Sequence, residues 1–161
     1  MAAQVYPSPD LARFLEGPIT AVLAVAGPGG IPVITRGIAC QWRGDEVGIF
    51  LNGLDRTMID PVPPLGASVA GVMCRPTSLQ TYQIKGRFLG LRDADAGEQH
   101  WLLGAVERMV VEFQKVDYPE PQSRAYLGYD PALLTVFRYR PEAIFDQTPG
   151  PQAGRQIAGA A

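Results

Sequence analysis

The 161-residue chain predicts a mainly β protein, an antiparallel barrel or sandwich that carries one long amphipathic helix. Three observations lead there. Short runs rich in β-formers recur from Ile19 to Arg92, joined mostly by tight turns and not by helical crossovers. From Asp93 the apolar period changes to the four-and-three spacing of a helix. A further β-rich run, Ala132 to Arg140, follows a turn-rich loop.

Each element has a local cause. Ser8-Pro9-Asp10 predicts a helix start, with Ser8 as N-cap, Pro9 at the first helical position and Asp10 favouring the dipole. Leu11, Phe14 and Leu15 give that helix its apolar stripe, and Gly17-Pro18 ends it. Ile19 to Ala26 is a strand, turned by Gly27-Pro28-Gly29-Gly30. Ile31 to Trp42 reads as one strand, Arg43-Gly44-Asp45-Glu46 as its turn, and Val47 to Leu51 as a short strand ending at Asn52-Gly53. A Pro-rich loop leads to strands over Ala67 to Cys74 and Tyr82 to Arg92.

Leu102, Val106, Met109, Phe113 and Val116 form the stripe of the long helix, capped by Asp93 or Asp95. Glu98, Glu107, Arg108, Glu112 and Lys115 fall away from that stripe. Residues 128–131 read as loop, and the Gly-, Ala- and Gln-rich end of the chain as a frayed tail.

Composition narrows the function. Forty-seven per cent of residues are apolar and the formal net charge is −2, which argues against a disordered chain and against nucleic-acid binding driven by bulk positive charge. No apolar run reaches the ~20 residues that span a bilayer, so no membrane association is expected. The first ten residues carry no secretory pattern, and Cys40 and Cys74 lie far apart. Both are expected as reduced, buried thiols in a cytoplasmic protein.

Chemistry of the chain's own is sparse. There is no P-loop, and Gly27-Pro28-Gly29-Gly30 lies between strands, where a dinucleotide fingerprint would need to open a helix. Gly66-Ala67-Ser68-Val69-Ala70 lacks the final glycine of a nucleophile elbow. His100, the single histidine, falls beside Trp101 near the start of the long helix, and no metal set forms around it. Any reactivity is therefore expected from a bound cofactor, with no catalytic residue assigned. One strand is different. Along Thr81 to Phe88 the alternation places Thr81, Gln83, Lys85 and Arg87 on one face, with Tyr82, Ile84 and Phe88 on the other. Such a face either holds an anion or polar heterocycle or is an ordinary solvated face of the sheet.

The order of several segments resembles the pyridoxamine 5′-phosphate oxidase-like family. These segments are Gly30-Ile31-Pro32-Val33-Ile34-Thr35-Arg36, Asn52-Gly53-Leu54-Asp55-Arg56-Thr57, Val69 to Pro76, Tyr82-Gln83-Ile84-Lys85-Gly86, the helix from Asp95, and Phe145-Asp146-Gln147-Thr148-Pro149-Gly150. The resemblance covers Ile19 to Pro149. It implies a six-stranded antiparallel split barrel over residues 1–147, a flexible tail over 148–161, and a homodimer binding FMN (in some branches a deazaflavin or haem) in a groove between subunits. It further implies that Thr35, Arg36, Arg56 and Thr57 hold the cofactor phosphate, and that Gln83 and Lys85 face the flavin ring or ribityl chain. The activity implied is flavin-dependent oxidoreduction of an unknown small molecule; the alternatives are a non-catalytic flavin- or haem-binding dimer and a deazaflavin-dependent reductase. Cys40-Gln41 and Arg56-Thr57 stand where the well-characterised oxidases carry further lysines, and the vitamin B6 substrate motif is not recognisable at the C-terminus. Oxidation of pyridoxine phosphate itself is accordingly not expected.

Overall fold

The computed structural model describes residues 5–159. Helix α1 spans Pro9–Leu15, and its N-terminus is satisfied as expected, the Ser8 hydroxyl accepting the Leu11 N–H at 3.2 Å. The strands are β1 (Thr20–Ala26), β2 (Pro32–Gly37), β3 (Ala39–Arg43), β4 (Glu46–Leu51), β5 (Ser68–Cys74), β6 (Thr81–Asp93), β7 (Thr135–Asp146) and β8 (Arg155–Gly159). Between them lie α2 (Gly53–Thr57), α3 (Ala96–Gln114) and α4 (Glu120–Tyr126).

All the strands belong to one antiparallel sheet in the order β2-β1-β5-β6-β7-β4-β3, with β8 paired to β7 beside β4. The run Ile31 to Trp42 is therefore two strands, not one. The break is at Ile38, and its two halves lie on opposite edges of the sheet. A side chain at Gly37 would overlap that of Ile49, so the chain bends tightly there. The Ile38 N–H then donates to the Phe50 carbonyl at 2.8 Å. This corner draws the two edges together around a common interior. The expected six-stranded barrel is thus an eight-stranded sheet whose ladder does not close.

Two apolar cores result. Leu23, Ile49, Met73, Ile84, Phe88, Phe137 and Tyr139 fill the interior of the curled sheet, and α1 plugs one end with Leu11, Phe14 and Leu15. Outside the sheet, α3 and α4 cover Phe50 and Val136 with Leu102, Met109, Val110 and Leu127.

Helix α3 begins where expected, with Asp95 as N-cap in a reciprocal capping box with Glu98. Glu98 is nevertheless buried, although its spacing places it off the apolar stripe. The capping box turns it towards the sheet, where Arg92 grips both carboxylate oxygens at 2.6 Å. Glu112 is buried for a similar reason, accepting from Thr77 and Lys115. Val116 lies beyond the helix end and is exposed.

Three further differences have local causes. Helix α4 occupies a stretch that reads as loop, because Pro119 and Pro121 mask its first turn and only Ser123 is buried within it. Strand β7 runs through Pro141 to Asp146, since Pro141 sits at a bulge opposite Gly86 where no ladder bond is required of it. Arg155–Gly159, expected as frayed tail, add β8 to β7.

Gly86 is needed at that bulge: a Cβ there would overlap the carbonyl of Arg140. Because the obstruction is backbone, Gly86→Ala should lower unfolding free energy by about 2–3 kcal/mol in urea denaturation. The Arg92 hydrogen bonds are the largest influence on Glu98 and hold its carboxyl below the usual glutamate range, against the opposing effect of burial. Its stabilisation is therefore complete above the unfolded-chain value of about 4.3 and lost as pH falls through the lower folded value. Glu98→Gln should cost about 1–3 kcal/mol at pH 7. Denaturation at stepped pH should show that cost shrinking in acid.

Candidate functional site

The residues implied in cofactor binding fall into two groups. The first surrounds α2. Asn52 is its N-cap, accepting the Asp55 N–H at 2.7 Å, so the Asn-Gly pair starts a helix where the sequence suggests a turn. Thr35, near the end of β2, is buried, and its hydroxyl donates to the Asp55 carbonyl at 2.9 Å. Arg36 donates from Nε to Asp55 Oδ1 at 3.2 Å and from Nη1 to the Tyr126 carbonyl. Its guanidinium also lies 4.2 Å from the centre of the Tyr126 ring. Both Thr35 and Arg36 thus spend polar groups on holding α2 and α4 against the sheet.

Asp55 is the hub of this corner. It is 7% exposed, and its second carboxylate oxygen, Oδ2, is buried with no hydrogen-bond partner among the described residues. Burial is the main influence and raises the Asp55 carboxyl, partly offset by the nearby Arg36 charge. Arg56 and Thr57 follow it in α2. Arg56 is half-buried, and its guanidinium has no ion-pair or hydrogen-bond partner among the described residues. Thr57 is exposed, its hydroxyl donating to the Leu54 carbonyl at 2.6 Å.

The second group lies on the outer face of the sheet. Strand register lines up Arg36, Val22, Val72, Gln83 and Phe145 in one row, and Ile34, Ala24, Ala70, Lys85 and Ala143 in the next. Three inter-strand steps separate Arg36 from Gln83, about 14 Å at the usual strand spacing. The floor between them is apolar and open, with Val22 and Ile34 exposed at 43% and 60%. An open groove of ≈ 260 Å³ runs beside it, lined by Ala24, Pro32, Ala70 and Lys85 among others. Gln83 makes no side-chain hydrogen bond to any described residue. The Lys85 ammonium rests 4.5 Å from the centre of the Phe145 ring and has no acid partner among the described residues.

The alternation along β6 holds as expected: Ile84 and Phe88 point inward while Lys85 and Arg87 are exposed. Arg87 is drawn away by Glu142 and Ser68, which leaves Gln83 and Lys85 as the uncommitted polar groups of the face. Sequence reasoning missed Asp55, Tyr126 and Phe145 as parts of these groups. The Asn-x-x-Asp spacing of Asn52 and Asp55 was a usable capping signal. Nothing local marks Tyr126 or Phe145, which are brought in by α4 and by the extension of β7.

Chemistry intrinsic to the chain is muted. Cys40 is fully buried and its thiol is pushed up to about 12 by desolvation, so it is no nucleophile at neutral pH. Among the described residues no three His, Cys, Asp or Glu side chains converge on a metal position, and no helix is long and apolar enough to cross a membrane.

Asp55→Ala should cost about 1–2 kcal/mol, since Arg36 loses its acid while the Thr35 bond to the backbone of residue 55 survives. Chemical denaturation of the Asp55→Ala and Arg36→Ala single variants and of the double variant gives the coupling; additive costs would deny the pair.

No family model matches the chain, and no curated protein matches it significantly. Solved structures do. An F420 reductase aligns at 20% identity and a TM-score of 0.52 over 86% of this chain and 98% of its own. HupZ from Group A Streptococcus aligns at 15% and 0.53, over 92% and 100% respectively. A pyridoxamine 5′-phosphate oxidase-related, FMN-binding protein from Nostoc punctiforme aligns at 13% and 0.40, over 83% and 76%. At these identities the likeness is one of fold alone: the chain shares the split-barrel fold of the F420 reductase and HupZ structures.

Proposed function

We propose that this protein binds a flavin, FMN or a deazaflavin, in a groove on the outer sheet face between two copies of the chain, and that it acts as a flavin-dependent oxidoreductase on a small molecule. The observation that carries the proposal is the pairing of an exposed apolar floor with polar groups that have no hydrogen-bond or acid partner among the described residues. Gln83 offers an amide donor and acceptor to the carbonyl and N–H edge of a heterocycle, and Lys85 a cation beside it. Val22, Ala24, Ala70 and Val72 give a flat surface against which a ring system stacks and from which water is displaced.

The phosphate end fits less completely than the resemblance implies. Thr35 and Arg36 are already engaged with Asp55 and Tyr126. Arg56, with Thr57 beside it, is the uncommitted cation at that end and takes the phosphate contact. A bound flavin would supply a hydride acceptor or donor at its N5 position; the chain's own part is to orient the ring and to exclude water. A solved protein of the same fold is an F420 reductase, which keeps a deazaflavin beside FMN as the occupant. A haem in the same place is less well served. His100, the single imidazole, is exposed on α3 and does not line the groove beside Lys85.

A second copy of the chain accounts for the exposed apolar side chains Val22, Ile34, Leu54 and Met58 along the outer face and α2. Ile34→Glu should convert the dimer to monomer in sedimentation velocity. A monomeric wild type would remove that part of the reading.

An absorbance spectrum of freshly purified protein, with mass spectrometry of what denaturation releases, should identify a flavin. Arg56→Ala and Lys85→Ala should each weaken its binding by about 1–3 kcal/mol in calorimetry. Unaltered affinity in both variants would place the cofactor elsewhere, and failure of wild type to bind FMN or a deazaflavin would sink the proposal.

A further inference from the structure

A second cleft lies away from the outer face, at the end of the interior that α1 plugs. It measures ≈ 150 Å³ and is lined by Asp10, Arg13 and Phe14 of α1 and its first turn, by Arg75 just after β5, and by Gln80 just before β6. Its floor is the buried Phe14, packed edge-on against Tyr82 at 4.9 Å between ring centres.

The charges do not balance. Arg13 is paired with Asp10 across one helical turn. Among the described residues Arg75 has no acid partner, and its guanidinium donates to no acceptor. It is also not a freely mobile surface group. Its Nε is sealed from solvent, its guanidinium sits 5.8 Å from the centre of the Phe14 ring, and it presses against residue 17, where any side chain would overlap it. Gly17 is thus the residue that makes room for the cation. A guanidinium carries five N–H donors in a fixed fork, and a partly desolvated fork with no acceptor is costly unless something outside the chain supplies one. Gln80 donates its amide N–H to the Tyr82 hydroxyl at 3.1 Å, which fixes the far wall.

We propose that this cleft is a binding site for a carboxylate, taken by the Arg75 fork. The class follows from charge and size. One guanidinium is uncompensated, so one negative charge completes the cleft, and the planar two-oxygen group matches a planar fork. The volume admits a small carboxylic acid, or the carboxylate end of a longer ligand, but no nucleotide. The site is independent of the flavin reading, since neither Gln83 nor Lys85 lines it.

The test is a titration of the full-length, isotopically labelled protein with sodium acetate, against sodium chloride at matched ionic strength. The backbone amide resonances of Arg13 and Gln80 are followed. Wild type should show a saturable shift with acetate and none with chloride. Arg75→Gln should lose it. Arg75→Lys, which keeps the charge and the fold but not the fork, should weaken it about tenfold or more. Equal responses to acetate and chloride, or a response in Arg75→Lys as tight as in wild type, would overturn the site. Inorganic phosphate saturating at lower concentration than acetate would overturn the carboxylate assignment.

Discussion

Strands β6 and β7 pair along almost their whole length, from Tyr82 opposite Asp146 to Asp93 opposite Thr135, and every other strand hangs from one side or the other of that pair. Strict alternation along β6 puts Ile84, Gly86 and Phe88 into the interior and Gln83, Lys85 and Arg87 outside. A slip of one residue would exchange the two sets, so the apolar interior is what fixes the position of the candidate ligand-facing groups. At Lys85/Gly86 the register shifts because β7 carries an extra residue, Glu142, opposite the point where β6 displays its outer polar residues. Gly86 is tolerated by this motif because no other residue fits against Arg140.

Besides their apolar contacts, two of the helices are tied to the sheet by buried carboxylates. Glu98 binds α3 to Arg92, Glu112 binds it to the β5–β6 connection, and Asp55 binds α2 to Arg36. On the outer face of β7 and along α4, Arg138 is matched with Glu46 and Arg124 with Glu107 and Glu120. Such pairs contribute modestly when exposed and strongly resist the loss of one partner when buried. They also sort the cations by availability. A cation held by a carboxylate is occupied, whereas Arg56, Lys85 and Arg75 have none among the described residues. The functional proposals rest on that difference.

Much of the architecture was legible because it depends on neighbours in sequence. The Ser8 and Asp95 caps, the hairpins, the switch of period at Asp93 and the two faces of Thr81 to Phe88 each follow from patterns a few residues long. What escaped was less local. Ile31 to Trp42 has unbroken β character, so nothing marks Ile38 as the corner between opposite sheet edges. Pro119, Pro121 and Pro141 suggest loop or strand end, and only the bulge opposite Gly86 and the packing of α4 reveal otherwise. Glu98 and Glu112 look solvent-facing by helical spacing, but sheet and hairpin groups reach them.

For the candidate site the division is similar. The sequence alone determined which residues could face one way along a strand, because side-chain alternation is a property of the backbone. It also indicated the fold, through the order of its strands, turns and helix. Only the tertiary structure decided which of those residues are free. Whether Arg36 is occupied depends on Asp55, 19 positions away, and on Tyr126, 90 positions away. Whether Arg75 lacks an acid depends on how α1 docks across the end of the sheet. Hydrogen bonds and ion pairs form between groups that folding brings together, and that proximity is not written in the spacing along the chain.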